Sequence, residues 1–518
     1  MIQVAQNVLT ELRSLIADLG KDGGIISPSV YDTAQVLRYC PAVDSRAVVD
    51  WLLGQQQADG GWGDPLIPIA RPVPTLATLL ALQRYRGEKR VRQTVEAGER
   101  WLELAGAEWP AEVPADIPVG NELLLPTLLV DAALVGLRVS AKPYAALIAL
   151  GERRRQLIAK LAPRPGTPAA HSWEAWGTLP DRRLMDTIGS IGHSPAATAA
   201  WLHAARGRDD LRAERGMAEG YLAQAATATG TGISGVVPTV WPIDRFEQTG
   251  GLYALLLAGL LRHCQLRSVI EPQVAALNRA FQTNGIGFSD WFVPDGDDTT
   301  MALAVVRAGD QPRTLASLQH FAVGDHWCTY HGEMHPSASV VAHALHVLDI
   351  FGETGHTAAE VYLAGQQSSD GRWRDKWNAS WLYATSHALF ALQNAACSPA
   401  TRSASRALLA GQSSGGGWGS QRVSAEETAY ALMALDMLAL SGYDRQAVDP
   451  ARERGKRWLI SQYQPNKPVL SACWLGKEIY RPHRVARAYE LAAVLQSIES
   501  APSLTVNQRE AMWIAAAS

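Results

Sequence analysis

The chain has 518 residues, 47% of them hydrophobic and 19% charged, with a formal net charge of −3. That length and apolar content support more than one sizeable core, and the near-neutral charge excludes a basic footprint for nucleic acid or an acidic membrane. Five cysteines (Cys40, Cys264, Cys328, Cys397 and Cys473) are scattered without CxxC spacing, which argues against a zinc site or a disulfide frame and for a reducing compartment.

The first predicted element is a helix over MIQVAQNVLTELRSLIADLGK, where Val4, Val8, Leu12, Leu15, Ile16 and Leu19 share one stripe. Glu11, Arg13 and Asp18 interrupt it, so it does not read as a signal peptide. Nowhere does an apolar run approach the roughly 20 residues that span a bilayer. A soluble, cytoplasmic protein is expected. Further along, PTLATLLALQRY, AATAAWLHAAR, TGGLYALLLAGLLRH and ETAYALMALDML carry helical periodicity, while alternating period-two runs are scarce. The fold is therefore predicted to be nearly all α.

A turn signature recurs between these helices. QADGGWG sets Gln56, Asp59, Gly60 and Trp62 at fixed offsets; QSSDGRW repeats them as Gln367, Asp370, Gly371 and Trp373. QSSGGGW offers Gln412, Gly416 and Trp418, and QTNGIGF (Gln282 to Phe288) is a degenerate copy. Gln367 and Gln412 lie 45 residues apart, and Gln282 precedes Gln367 by 85, one and two steps of a helix-pair repeat. Gly permits the tight turn, Gln and Asp satisfy helix-end backbone groups, and the Trp ring is expected to cap the neighbouring helix pair. Arrays of this kind that close on themselves form α/α barrels, and the length suits two of roughly 200–250 residues. A boundary is expected near Arg262 to Ala275, after the Gly/Thr/Pro-rich TATGTGISGVVPTVWPI.

One segment departs from ordinary helix chemistry. PDGDDTTMALAVV crowds Asp295, Asp297 and Asp298 before an apolar helix. An N-cap accounts for an isolated DGDDTT. A calcium loop fails, because its twelfth position is Val306 where a Glu is needed. No DDxxD diphosphate-ionising motif is present; Asp209 and Asp210 are followed by Arg and Ala and read as solvated. Crowding itself supplies the remaining reading. Carboxylates a few ångströms apart cannot all ionise, so one stays protonated and becomes a strong donor. Desolvation must then outweigh the helix dipole, which favours the anion.

This D-x-D-D-T before a helix, with the Q-x-x-D-G-x-W turns, resembles the class II terpene cyclases. PSVYDTA, HSWEAWG, SPAATAAW, VWPIDRFE, DKWNASWLYATSH, AEETAYAL and WLGKEIY extend the likeness over essentially the whole chain, towards bacterial diterpene cyclases of the copalyl diphosphate synthase type. The resemblance implies two α/α barrels, β (1–20 plus 265–518) and an inserted γ (21–264), with the active site between them. It assigns Asp297 as general acid, tuned or oriented by Asp295 and Asp298. Geranylgeranyl diphosphate would be protonated at its terminal alkene and cyclised to a bicyclic cation, with the diphosphate retained.

For the diphosphate end the resemblance offers Mg2+ with Asp116 and Glu122 from PADIPVGNELLLP, and Lys477 as a further contact; a capping Asp and a surface Glu are the plain alternative. Trp291, Trp377, Trp381, Tyr383 and Trp474 are candidate walls for the cation. The terminating base is expected to be a water held by His171 and, where the family has Asn, Thr239. Simple copalyl diphosphate, of the ent series, is the expected product. Halimadienyl or kolavenyl (clerodane) skeletons, hydroxylated diphosphates, and drimenyl diphosphate from farnesyl diphosphate are the alternatives. A glycoside-cleaving barrel would instead need two carboxylates across a cleft. A class I synthase acting downstream would be expected to remove the diphosphate; nothing in the sequence fixes the oligomeric state.

Overall fold

A computed structural model describes residues 2–42, 44–114, 117–162, 164–333, 335–395, 398–469 and 471–500. The chain starts with α1 (Ile2–Asp18). It continues through α2 (Val30–Tyr39), α3 (Arg46–Gly54), α4 (Pro72–Leu82), α5 (Lys89–Ala107) and α6 (Asn121–Leu134). Next come α7 (Ala145–Ile158), the single turn α8 (Pro168–His171), α9 (Pro195–Ala204) and α10 (Arg212–Thr227). A second series holds α11 (Asp244–Leu257), α12 (Arg267–Ala280), α13 (Gly296–Ala308), α14 (Ala338–Phe351) and α15 (Thr357–Gly365). It ends with α16 (Trp381–Ala391), α17 (Pro399–Ala410), α18 (Ala425–Leu440), α19 (Arg445–Gln462) and α20 (His483–Glu499).

Packing sorts these helices into inner and outer members. In the second series α11, α13, α14, α16, α18 and α20 each pack on the next, and α20 returns onto α11 to close a ring. Helices α1, α12, α15, α17 and α19 lie outside it. Sequence pattern explains the division. From Ala338 to Leu348 every residue of α14 is buried, as expected for a helix apolar on all sides. In α19 only Val448, Ala451, Gly455, Lys456 and Leu459 are buried, the stripe of an amphipathic outer helix. In the first series α2 packs on α4 and α9, and α4 on α6, with α3, α5, α7 and α10 outside. No helix among the described residues is long and apolar enough to cross a membrane.

Two sequence expectations change. Helix α11 is a ring member, packed between α13 and α20, although the sequence reading placed 21–264 in the inserted unit. Its TGGLYALLL stretch is buried except for the half-buried Leu256, and nothing local distinguishes the two destinations. The turn signature also works differently from the expected cap on a neighbouring pair. Trp62, Trp373 and Trp418 each donate Nε1–H at 2.7 Å to a carbonyl ten residues earlier: Leu52, Leu363 and Leu408, in the helix that has just ended. The neighbour is reached by the glutamine instead. Gln56, Gln367 and Gln412 bridge their own turns to Thr94, Ala400 and Ala451 of the following outer helix. Each Trp backbone N–H donates to a threonine of the next inner helix: Thr75, Thr385 or Thr428. In the degenerate copy Ile286 takes that place, with its N–H on Thr299, two residues before the aligned Phe288.

The Trp373 contact supplies the measurable consequence. Trp373→Phe keeps the ring but leaves the Leu363 carbonyl with the Gln366 N–H as its one donor, so stability should fall by about 0.5–1.5 kcal/mol. Chemical denaturation checks this; an unshifted midpoint would contradict the capping role.

Candidate active site

The motif at the start of α13 is shaped residue by residue. Asp295 is its N-cap, extended at φ −128°, and its carboxylate accepts the Asp298 N–H at 2.8 Å. Gly296 lies so close to the Cys328 carbonyl that a Cβ there would sit 2.1 Å from the oxygen, so any larger residue at this position would have to push the two backbones apart. Thr299 Oγ1 ties the helix to Ile286 through both its N–H and its carbonyl, each at 3.0 Å.

The three carboxylates then occupy different environments. Asp295 and Asp298 are buried, at 3% and 4% exposure, while the Asp297 side chain is 13% exposed and opens to the cavity. Burial raises Asp295 to about 7, aided by the charge of Asp297. Burial also raises Asp298 well above the carboxylate range, with the charges of Asp295 and Asp297 adding to it. Crowding thus acts on the flanking pair. Asp297 has a partner that the sequence reading did not supply: His343 Nδ1 lies 2.7 Å from its Oδ1. His343 Nε2 in turn meets His387 Nδ1 at 2.9 Å, and His387 Nε2 meets the Tyr489 hydroxyl at 3.4 Å. Helices α14, α16 and α20 deliver these groups, and the rings of Tyr253 and Tyr383 stand edge-on against them.

Asp297 faces a cavity with about 910 Å³ of empty space, its open mouth included, whose walls are mostly aromatic and aliphatic. Of the expected aromatic residues, Trp377 and Trp474 line it, and Trp474 stands edge-on to Phe246 at 4.9 Å. Tyr383 lies one layer back, buried against Trp474 and His387. Two expectations are corrected. Trp291 is 39% exposed and absent from the lining, and Trp381 lies under the Arg372 guanidinium at 4.1 Å, on the turn framework. Phe246, Phe288, Phe292, Tyr330 and Tyr480 complete the wall in their place. The sequence reading missed these five.

His171 also lines the cavity. Its Nδ1 lies 2.8 Å from the Gly192 carbonyl, an oxygen that can only accept. Nδ1 therefore carries the hydrogen and Nε2 keeps its lone pair. Burial, reinforced by the charge of Lys477, holds the ring far below the ordinary histidine range, so it is a neutral base. Thr239 is fully buried behind Gly476 and does not reach the lining; its Oγ1 has no hydrogen-bond partner among the described residues.

The proposed diphosphate contacts also shift. Lys477 borders the cavity, yet its ammonium is fully buried, donating at 2.6 Å to Glu174 and to Ser194 with Asp32 at 3.8 Å. It is a pinned structural cation, not a free phosphate ligand. Asp116 lies outside the described residues. Glu122 is buried in the first turn of α6, raised by burial, and its Oε2 has no partner among the described residues. That orphaned carboxylate oxygen is the kind of hard donor Mg2+ takes. No group of three His, Cys, Asp or Glu residues among the described residues forms a ready-made metal site.

With this geometry in hand, the relatives fall into place. Residues 306–434 match the squalene–hopene cyclase C-terminal domain family. The chain is 44% identical over 513 residues to the (+)-kolavenyl diphosphate synthase of Herpetosiphon aurantiacus, covering 96% of this chain and 98% of that one. It is 32% identical over 529 residues to the ent-copalyl diphosphate synthase of a Streptomyces species, covering 98% and 97%. Among solved structures, ent-copalyl diphosphate synthase from Streptomyces platensis superposes with a TM-score of 0.77 at 27% identity, over 95% of this chain and 99% of that chain. The chain belongs to the class II diterpene cyclases, enzymes built from α/α barrels.

The pH dependence of stability follows from Asp295. Unfolded, it ionises near 4; in the native protein it holds its proton up to about 7. Its contribution to stability is complete below about 4 and is lost as pH rises towards about 7. Asp295→Asn keeps the N-cap without the charge. Its melting-temperature advantage over the wild type should grow from pH 5 to pH 7 and then level off. A difference that is constant with pH would contradict the assignment.

Proposed function

We propose that Asp297 protonates the terminal alkene of geranylgeranyl diphosphate and that the resulting cation closes to a bicyclic, copalyl-type skeleton with the diphosphate intact. The observation that carries this is the Asp297–His343 contact opening onto an aromatic cavity. The carboxyl O–H bond breaks as the alkene π electrons form a C–H bond, and the positive charge left on the substrate carbon is surrounded by Phe246, Phe288, Phe292, Trp377, Trp474 and Tyr480. Their π faces stabilise it, and the scarcity of polar groups keeps water from quenching it. Neutral His171, through Nε2 or a water held on it, takes up the final proton, so the reaction is a net isomerisation.

Glu122, with Asp116, would hold Mg2+ at the diphosphate end. When bound, Mg2+ supplies charge neutralisation for the diphosphate oxygens. A retained diphosphate leaves ionisation to a class I synthase downstream. A cytoplasmic setting belongs to the same reading, supported by free cysteines at 40, 264, 328 and 473.

Two products deserve comparison. Unrearranged ent-copalyl diphosphate follows from early proton loss. A rearranged kolavenyl-type diphosphate is favoured by the 44% identical relative that bears that name, and by Thr239. Its hydroxyl stands behind Gly476 and not on the cavity wall, which leaves His171 without the expected amide partner and the cation with time for hydride and methyl shifts.

Purified protein incubated with Mg2+ and either geranylgeranyl or farnesyl diphosphate, then phosphatase, should give a bicyclic C20 alcohol whose skeleton separates the two products. Turnover of farnesyl diphosphate alone would move the substrate to C15, and no cyclisation of either would overturn the reading. His171→Ala should change the product or slow its formation; an unchanged product at an unchanged rate would place the base elsewhere.

A further inference from the structure

Asp297 gives one oxygen to His343, and the effect of that contact depends on which atom carries the hydrogen. The row Asp297–His343–His387–Tyr489 is a chain of single hydrogen bonds at 2.7, 2.9 and 3.4 Å. His343, His387 and Tyr489 are at most 1% exposed, so water does not enter to break the order. Two arrangements satisfy such a chain. In the inward one, Tyr489 donates to His387 Nε2, His387 Nδ1–H to His343 Nε2, and His343 Nδ1–H to Asp297 Oδ1. In the outward one every donor is reversed, and the carboxyl proton of Asp297 is engaged by His343 Nδ1. Only the inward arrangement leaves that proton on Oδ2, available to an alkene.

The far end of the chain selects between them. Among the described residues the Tyr489 hydroxyl meets no partner but His387. In the outward arrangement its hydrogen would be buried without an acceptor; in the inward one only oxygen lone pairs go unused, which is the cheaper state. Burial also holds His387 far below the ordinary histidine range, so its ring carries one hydrogen, as an ordered chain requires.

We propose that His387 and Tyr489 are positioning residues that lock His343 in its Nδ1–H tautomer, so that Asp297 keeps its proton for the substrate. No proton travels along the chain. The proton leaves Asp297 Oδ2 for the alkene carbon, and the standing Nδ1–H of His343 stabilises the carboxylate left behind. This rests on the reading of Asp297 as the acid.

Two substitutions separate a tautomer lock from simple packing. His387→Leu removes the donor, and kcat should fall by about tenfold to a hundredfold with KM unchanged. His387→Asn keeps an N–H where Nδ1 stands and should recover most of that loss. Wild-type kcat in the Leu variant, or equal losses in two folded variants, would overturn the lock. Tyr489→Phe, which removes only the hydroxyl, serves if the Leu variant does not fold, and should lower kcat several-fold; wild-type kcat in it would also overturn the lock. The 15N spectrum of histidine-labelled wild-type protein, with the His343 signals assigned by their loss in His343→Gln, reads the tautomer without any assay. Nδ1–H is expected and Nε2–H would overturn the proposal. Asp297→Asn in the same assay tests the underlying reading: if it stays active, the acid assignment fails whatever the spectrum shows.

Discussion

The contact on which the site depends is the one between Asp297 and His343, and the repeat of the ring makes it possible. His343 follows Asp297 by 46 residues, and His387 follows His343 by 44. Each interval is one helix-pair step, so successive ring helices bring one polar group each to the same level. Tyr489 lies 102 residues beyond His387, on α20, which closes the ring. A repeat that elsewhere only stacks apolar faces here aligns an acid and its supports. The surrounding packing keeps that row dry, where hydrogen bonds are directional and unpaired groups are costly.

A second constraint joins this ring to the first series of helices. The hairpin of β1 (Trp474–Leu475) and β2 (Ile479–Tyr480) presents Trp474, Lys477 and Tyr480 to the cavity. Its Lys477 is gripped by Glu174 and Ser194, and the carboxylate of Glu478 receives the Val30 and Tyr31 N–H groups at the start of α2. Across the other junction Glu247 of α11 accepts the N–H groups of Gly20 and Ile25 and the guanidinium of Arg484. Burial pushes Asp32, at the edge of the lysine cluster, up to about 6. Clusters of this kind hold geometry more than they add stability, because losing one partner strands a buried charge. Here they fix the distance between His171, carried by the first series, and Asp297, carried by the ring.

Much of this was legible in the sequence. The Gln and Trp offsets mark a helix-pair array because those residues must cap each turn, and the D-x-D-D-T marks an N-cap that carries surplus acid. Other features were out of reach for physical reasons. Trp377 and Trp381 lie four residues apart in one segment, but Trp377 precedes α16 and faces the cavity with its Nε1–H on Thr329, while Trp381 opens the helix under Arg372. His343 sits in the apolar run VVAHALHV with His346, where histidines read as core. The available signal was its spacing from His387, one repeat on. Beyond Gln248 helix α11 carries no charge, a pattern shared by the inner helices of both series, so the boundary near Arg262 could not be placed correctly from composition. Lys477 looked like a phosphate ligand because its partners Glu174 and Asp32 lie hundreds of residues away in the chain.

Initiation by proton transfer from a carboxyl group that exchanges with solvent is the central claim, and running the cyclisation in D2O tests it most directly. The account predicts a bicyclic product that keeps its diphosphate and gains one non-exchangeable deuterium at the carbon protonated first. An unlabelled product, or one formed with loss of the diphosphate, would contradict it.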